Sequence, residues 1–220
     1  MEATSPVTAP ALEFSVLDAA RVEHAAAPTL GFSVQVEAPQ DLRIRSVLLD
    51  VQLQIAARRR RYDAEKEERL LELFGPVKDW GTTLRNLLWT RATLVVPQFS
   101  GSTVVVLPIA CTYDTDVLAS KYLDALAGGD VPLEFLFSGT IFYPDPDGRL
   151  QVSRIGWDSE AEFRLPASAW REMMDRHFPD SAWLRLRREQ FDRLHAYRGR
   201  KALLTWEDTV DSLLREAGEG

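Results

Sequence analysis

The sequence predicts an α+β fold: an antiparallel β-sandwich with two inserted helices and a C-terminal three-helix segment packed on it. Three observations carry this. Apolar and polar residues alternate at period two through much of the first 165 positions, the mark of strands with one buried face. After Pro166 the apolar spacing changes to that of helices, and runs of strands followed by runs of helices argue for α+β. The chain has 220 residues, 45% of them hydrophobic and 27% charged, enough to bury a core without disulfides or metal.

Residues 1–11, MEATSPVTAPA, lack periodicity and read as a disordered N-terminal arm. The sandwich is expected over 12–165. Leu12, Phe14 and Val16 alternate with Glu13 and Ser15, and Phe32, Val34 and Val36 alternate with Ser33, Gln35 and Glu37; each set is a strand, and Arg21–His24 can begin a further short one. Leu42 and Ile44 are apolar on even positions, whereas Val47, Leu49, Val51, Leu53 and Ile55 are apolar on odd ones. A strand has period two, so a bulge or turn is expected near Arg45-Ser46.

Asp63 is placed to cap the first inserted helix, about 63–74, which Gly75-Pro76 stops. Strands follow at about 87–96 and 103–107. Leu107 to Tyr143 then reads as strand, helix (about 116–127, capped by Asp114 or Thr115), Gly-Gly stop and a strongly apolar strand. Both of those strands are expected to be central to the sheet, the second buried on two faces. Pro144–Gly148 is a hairpin turn, and strands at 150–155 and 161–165 complete the sheet.

The helical segment, 166–217, is expected to belong to the same globular unit. Trp170, Met173, Met174, His177 and Phe178 share a helix face. Asp180 or Ser181 can cap a second helix, and Thr205–Asp208 fits a capping box for a third that Gly218 closes.

The formal net charge of -7 argues against a general nucleic-acid binder. No stretch approaches the ~18 apolar residues of a membrane span. The single cysteine, Cys111, with no secretory signal ahead of it, points to the cytoplasm.

Catalytic chemistry has no motif to rest on: there is no P-loop, GxGxxG, GxSxG or carboxylate pair. Cys111 reads as a small buried residue at a strand end, because nothing in the sequence sets a base beside it. One cysteine and the histidines at 24, 177 and 195 offer no ligand spacing for a metal, and no cofactor is expected. His177 reads as a packed, hydrogen-bonded residue.

The candidate interaction surface is basic. Arg58, Arg59, Arg60 and Arg61 form an unbroken run, suited to an acidic partner unless its members pair with Glu65, Glu67, Glu68 and Glu72. Arg185, Arg187 and Arg188 begin a second basic face that continues through Arg193, Arg198, Arg200 and Lys201. The candidate pocket is Tyr113, Asp114 and Tyr122, near Phe135 and Phe137 in sequence. The six tryptophans are expected to anchor the core; exposed together they would mark an interface.

Three long phrases carry a resemblance: residues 62–90 (YDAEKEERLLELFGPVKDWGTTLRNLLWT), 107–143, and 165–210 from LPASAWREMMDRHF onward. On these the chain resembles a family of uncharacterised bacterial proteins, domain of unknown function 6084. The resemblance brings no activity, cofactor or catalytic residue. It implies an accessory role near nickel-iron hydrogenase systems, with hydrogenase subunits as possible partners. Residues and resemblance together point to a non-enzymatic protein-interaction protein. The alternative is a small-molecule-binding or enzymatic domain at Tyr113, Asp114 and Tyr122.

Overall fold

Two antiparallel sheets face each other across an aromatic core. The structure is a computed structural model and describes residues 10–112, 117–126, 128–179 and 186–218. In chain order the strands are β1 (Glu13–Arg21), β2 (Thr29–Glu37), β3 (Arg43–Ile44), β4 (Ser46–Ile55), β5 (Leu87–Val96), β6 (Phe99–Ser100), β7 (Ser102–Ala110), β8 (Asp130–Pro144), β9 (Leu150–Arg154) and β10 (Glu160–Pro166). The helices are α1 (Ala64–Arg69), α2 (Leu71–Phe74), α3 (Trp80–Thr83), α4 (Val117–Ala125), α5 (Ala167–His177), α6 (Arg188–Arg200) and α7 (Trp206–Ala217). The chain divides into two compact units, Met1–Asp180 and Ser181–Gly220.

In the first unit one sheet runs β1-β2-β7 and the other β10-β8-β4-β5, with β9 also paired to β8 and a small β3-β6 ribbon beside them. The α+β class and antiparallel sheets agree with the alternation read from the sequence. Even-numbered residues of β2 and odd-numbered residues of β4 are fully buried. Phe14 stacks on Phe137 at 4.4 Å between ring centroids. Phe32 sits edge-on to Phe135 at 5.2 Å, Phe163 at 6.0 Å and Trp89 at 6.5 Å. One side chain of β2 thus touches three strands of the opposite sheet, the geometry aromatic pairs prefer. The change of parity near Arg45 has its cause in topology: β3 pairs with β6, β4 pairs with β5 and β8, and the Arg45 amide donates to the Phe142 carbonyl at 2.8 Å at the crossing.

β8 is central, as expected, but one-sided. Its odd-numbered residues other than Gly139 are buried while Glu134, Leu136, Thr140 and Phe142 are half-buried and Ser138 exposed, because a sandwich sheet has one core face. β4 lies along one side of it; on the other, β10 pairs up to Leu136 and β9 from Thr140. Gly139 stands at the change of partner, with φ 139°. β7 is not central. It pairs with β2 and forms the edge of its sheet.

Asp63 caps α1, accepting from the Lys66 amide at 3.0 Å. The single helix expected over 63–74 is broken at Leu70 (φ -90°, ψ -1°), which is fully buried. α5 packs within the first unit on Trp170, Met173 and Met174. Arg21 ends β1, and a turn with His24 at positive φ replaces the short strand expected there. Residues 1–9 of the N-terminal arm, and Asp114, Thr115, Asp180 and Ser181 as caps, lie outside the described residues.

The second unit holds α6 and α7. The capping box at Thr205 is present in full: Thr205 Oγ1 accepts from the Asp208 amide at 3.0 Å, and Asp208 Oδ2 accepts from the Thr205 amide at 3.2 Å. Gly218 closes α7. α6 begins at Arg188. Among the described residues of this unit, Thr209 is the one that is buried.

Candidate interaction surface

The four-arginine run follows β4 through a single 3-10 turn, Ala57–Arg59, and its members do different things. Arg59 forms ion pairs with Glu162 on β10 and with Glu134 on β8, the latter at 3.0 Å. Glu134 also accepts from Asn86 Nδ2 at 3.0 Å. Arg60 donates to the Asp130 carbonyl at 2.8 Å and to the Gly128 carbonyl, clamping the chain where it enters β8. Arg58 reaches the Gly81 carbonyl only at 3.5 Å, and Arg61 is exposed. Two of the glutamates of the neighbouring helices are engaged elsewhere: Glu65 with Arg69 at 3.5 Å and Glu72 with Lys121. Half of the run is therefore a structural clamp.

A hydrogen bond from a charged group is worth about 1.5–3 kcal/mol. Arg60→Ala is therefore expected to destabilise the first unit by about 2 kcal/mol, read as a fall in the urea midpoint, and Arg61→Ala by less than about 0.5 kcal/mol.

Of the candidate pocket, Tyr113 and Asp114 lie outside the described residues. Tyr122, on α4, is fully buried. Its hydroxyl meets that of Tyr62 at 2.7 Å, and Tyr62 donates to the Ala57 carbonyl at 2.7 Å. Trp80 and Phe74 pack edge-on around this pair. Desolvation by burial pushes both phenol pKa values up. Tyr122 thus serves as a packed aromatic whose one polar atom is already satisfied. Cys111 follows β7 directly. It is buried, its Sγ lies 3.4 Å from the Ile109 carbonyl, and burial pushes the thiol up to about 12. His177 Nδ1 lies 3.0 Å from the Met173 carbonyl. Among the described residues no group of three or more His, Cys, Asp or Glu side chains is placed to hold a metal ion.

Trp80, Trp89 and Trp170 are core anchors and Trp206 is half-buried. Trp157, in the turn before β10, is 97% exposed; Trp183 lies outside the described residues.

The second basic face lies on the helical hairpin. Arg185 lies outside the described residues. Arg187 donates to Gln190 Oε1 at 2.9 Å and Arg188 pairs with Asp192 at 3.0 Å, so both are held on their own helix. Arg198 lies 4.2 Å above the Trp206 ring, a cation–π contact. Lys201 pairs with Glu216 at 2.8 Å, and Tyr197 also donates to Glu216 at 3.0 Å; these bonds hold the Glu216 carboxyl below its ordinary pKa. Arg193 and Arg200 have no ion pair among the described residues. They flank a groove of about 430 Å³ between the two helices, floored by Leu194, Tyr197 and Leu213. The sequence placed these cations on the basic face; the groove depends on how the two helices fold together.

The pattern of a family of unknown function, DUF6084, matches residues 9–220. The chain belongs to that family. No curated protein matches this DUF6084 chain. Among solved structures it is similar to a putative late embryogenesis abundant protein, at 15% identity over 73% of each chain with a TM-score of 0.32. Two further likenesses are a beta-glucosidase from Kluyveromyces marxianus, at 10% identity and TM-score 0.23, and beta-glucosidase 3B from Thermotoga neapolitana, at 13% and 0.25. Each covers 70% of the DUF6084 chain, which spans 15% and 17% of those two enzymes respectively. No helix among the described residues is long and apolar enough to cross a membrane.

Proposed function

We propose that this chain is a non-catalytic interaction protein whose helical hairpin receives an acidic, leucine-bearing segment of a partner protein. The supporting observation is the groove between α6 and α7. Its floor of Leu194, Tyr197 and Leu213 offers apolar contact, and Arg193 and Arg200 stand at its sides with no ion pair among the described residues. Arginine and tyrosine are over-represented among the residues that dominate interface energies. A carboxylate on the partner meets a planar donor fork here, which favours bidentate pairing. The family resemblance suggests a nickel-iron hydrogenase system as the setting, and the lone, buried Cys111 suits the reducing cytoplasm.

The test is affinity purification of the tagged protein from its own cells at native expression, beside the double variant R193E/R200E. The expected result is a stoichiometric partner recovered with the parent chain and depleted at least ~30-fold with the variant, corresponding to about 2 kcal/mol. Hydrogenase subunits among the recovered proteins would identify the setting. Equal recovery by both chains would overturn docking at this groove.

A further inference from the structure

We propose that β7 is a self-association strand: two copies of this chain pair their β7 edges antiparallel and join their β1-β2-β7 sheets into one. This is independent of the hairpin groove.

The argument starts from hydrogen-bond phase. The Ala38 amide donates to the Gly101 carbonyl and the Cys111 amide to the Pro28 carbonyl, each at 2.7 Å. Bonded pairs alternate in an antiparallel ladder, so with the register Thr29↔Ala110 to Glu37↔Ser102 the odd-numbered residues of β7 bond to β2. The even-numbered ones, Ser102, Val104, Val106, Pro108 and Ala110, turn their backbone groups to the open side. Pro108, which has no N–H, falls in the set where the ladder with β2 loses nothing by it.

An open edge is ordinarily guarded by charge or a bulge. The other outer strands of the two sheets are guarded: β1 carries Glu13, Asp18 and Arg21 with a register shift after Val16, β5 carries Arg91, β9 Arg154, and β10 Glu160, Glu162 and Arg164. β7, STVVVLPIA, carries no charge over nine residues. Val104 and Val106 are 53% and 58% exposed on it.

The occupant that fits is a second copy. An uncharged strand does not repel its own image. A two-fold axis through Val104 sets Ser102 opposite Val106 and Val104 opposite Val104, every one with a backbone donor and acceptor that have no ladder partner among the described residues, while Pro108 falls beyond the paired run. The valines meet across the strands, where β-branched pairs are favourable. Each copy has one such edge, so the assembly closes as a dimer.

The test uses the full chain in sedimentation equilibrium from micromolar to submillimolar concentration, with two variants. The parent is expected to reach the mass of two chains. Val106→Lys, which keeps an aliphatic stem over Gly31, is expected to remain at one. Val104→Cys is expected to form a covalent dimer on mild oxidation, because only this register brings the two positions together; Cys111 is buried and does not compete. The matched exposed control Val95→Cys on β5 is expected not to cross-link. A parent that stays monomeric, or a dimer that persists in Val106→Lys, or failure of Val104→Cys to cross-link would each overturn the proposal.

Discussion

Gly139→Ala is expected to unfold the first unit or cost it more than about 4 kcal/mol, a loss reserved for a few mechanisms. Two effects add. The backbone at Gly139 has φ 139°, which L side chains rarely adopt. A Cβ built there would also sit far inside the van der Waals surface of the Leu48 carbonyl oxygen. Neither partner can retreat. Leu48 and Leu49 lie in β4, held by β5 on one side and β8 on the other, and the Gly139 carbonyl accepts from the Ile155 amide at 3.1 Å. The control is Gly148→Ala in the β8–β9 turn. It has φ 79° but nothing within 4 Å of an added Cβ, so conformation alone is penalised, at about 1–2 kcal/mol. Urea midpoints of the two variants separate the effects. A loss below about 2 kcal/mol for Gly139→Ala would show that the β4–β8 contact is looser than described.

Stability is expected to collapse in alkali, in two stages. Burial pushes the Cys111 thiol up to about 12, whereas in the unfolded chain it titrates near 8.5. Its folded pKa is the higher, so its contribution is whole below about pH 8.5 and is lost as pH rises toward 12. One proton gives a slope of about 1.4 kcal/mol per pH unit, on the order of 5 kcal/mol across the window. Tyr62 and Tyr122 are shifted in the same direction by the same cause. Their unfolded values lie near 10, so the slope should steepen above that pH. Tm is expected to stay flat to about pH 8 and then fall. Cys111→Ala should delay the onset, and Tyr62→Phe with Tyr122→Phe should remove the steepening; slopes rather than absolute stabilities are compared. The same onset in Cys111→Ala and the parent would sink this account.

Much of the fold is legible in the sequence wherever local chemistry decides it. The alternation of Phe32, Val34 and Val36 marks β2, and the cap at Asp63 and the box at Thr205 are visible in a few residues each. What resists reading is what depends on distant partners. β7 looks central because an uncharged apolar run has the same pattern whether its far edge is paired or bare. The helix expected over 63–74 breaks at Leu70, at a bend that periodicity does not signal. Arg59 pairs across the fold with Glu134 and Glu162, where proximity in sequence suggested Glu65 to Glu72. The paired hydroxyls of Tyr62 and Tyr122 are sixty positions apart, so no spacing rule connects them.

The separation of β2 from β7 has a consequence for synthesis. β1 and β2 emerge together and pair as neighbours, but β7 closes their sheet only after Ser102–Ala110 has left the ribosome. At about 5–20 residues per second, several seconds pass first. During that interval Leu30, Phe32, Val34 and Val36 have one strand beside them, and the facing sheet still lacks β8 and β10. A nascent hairpin with four such residues on one side is the substrate that holding chaperones recognise, and pairing over long sequence separations makes folding slow once the chain is complete. Yield in a foreign host should therefore depend more on temperature and translation speed than on the stability of the finished sandwich.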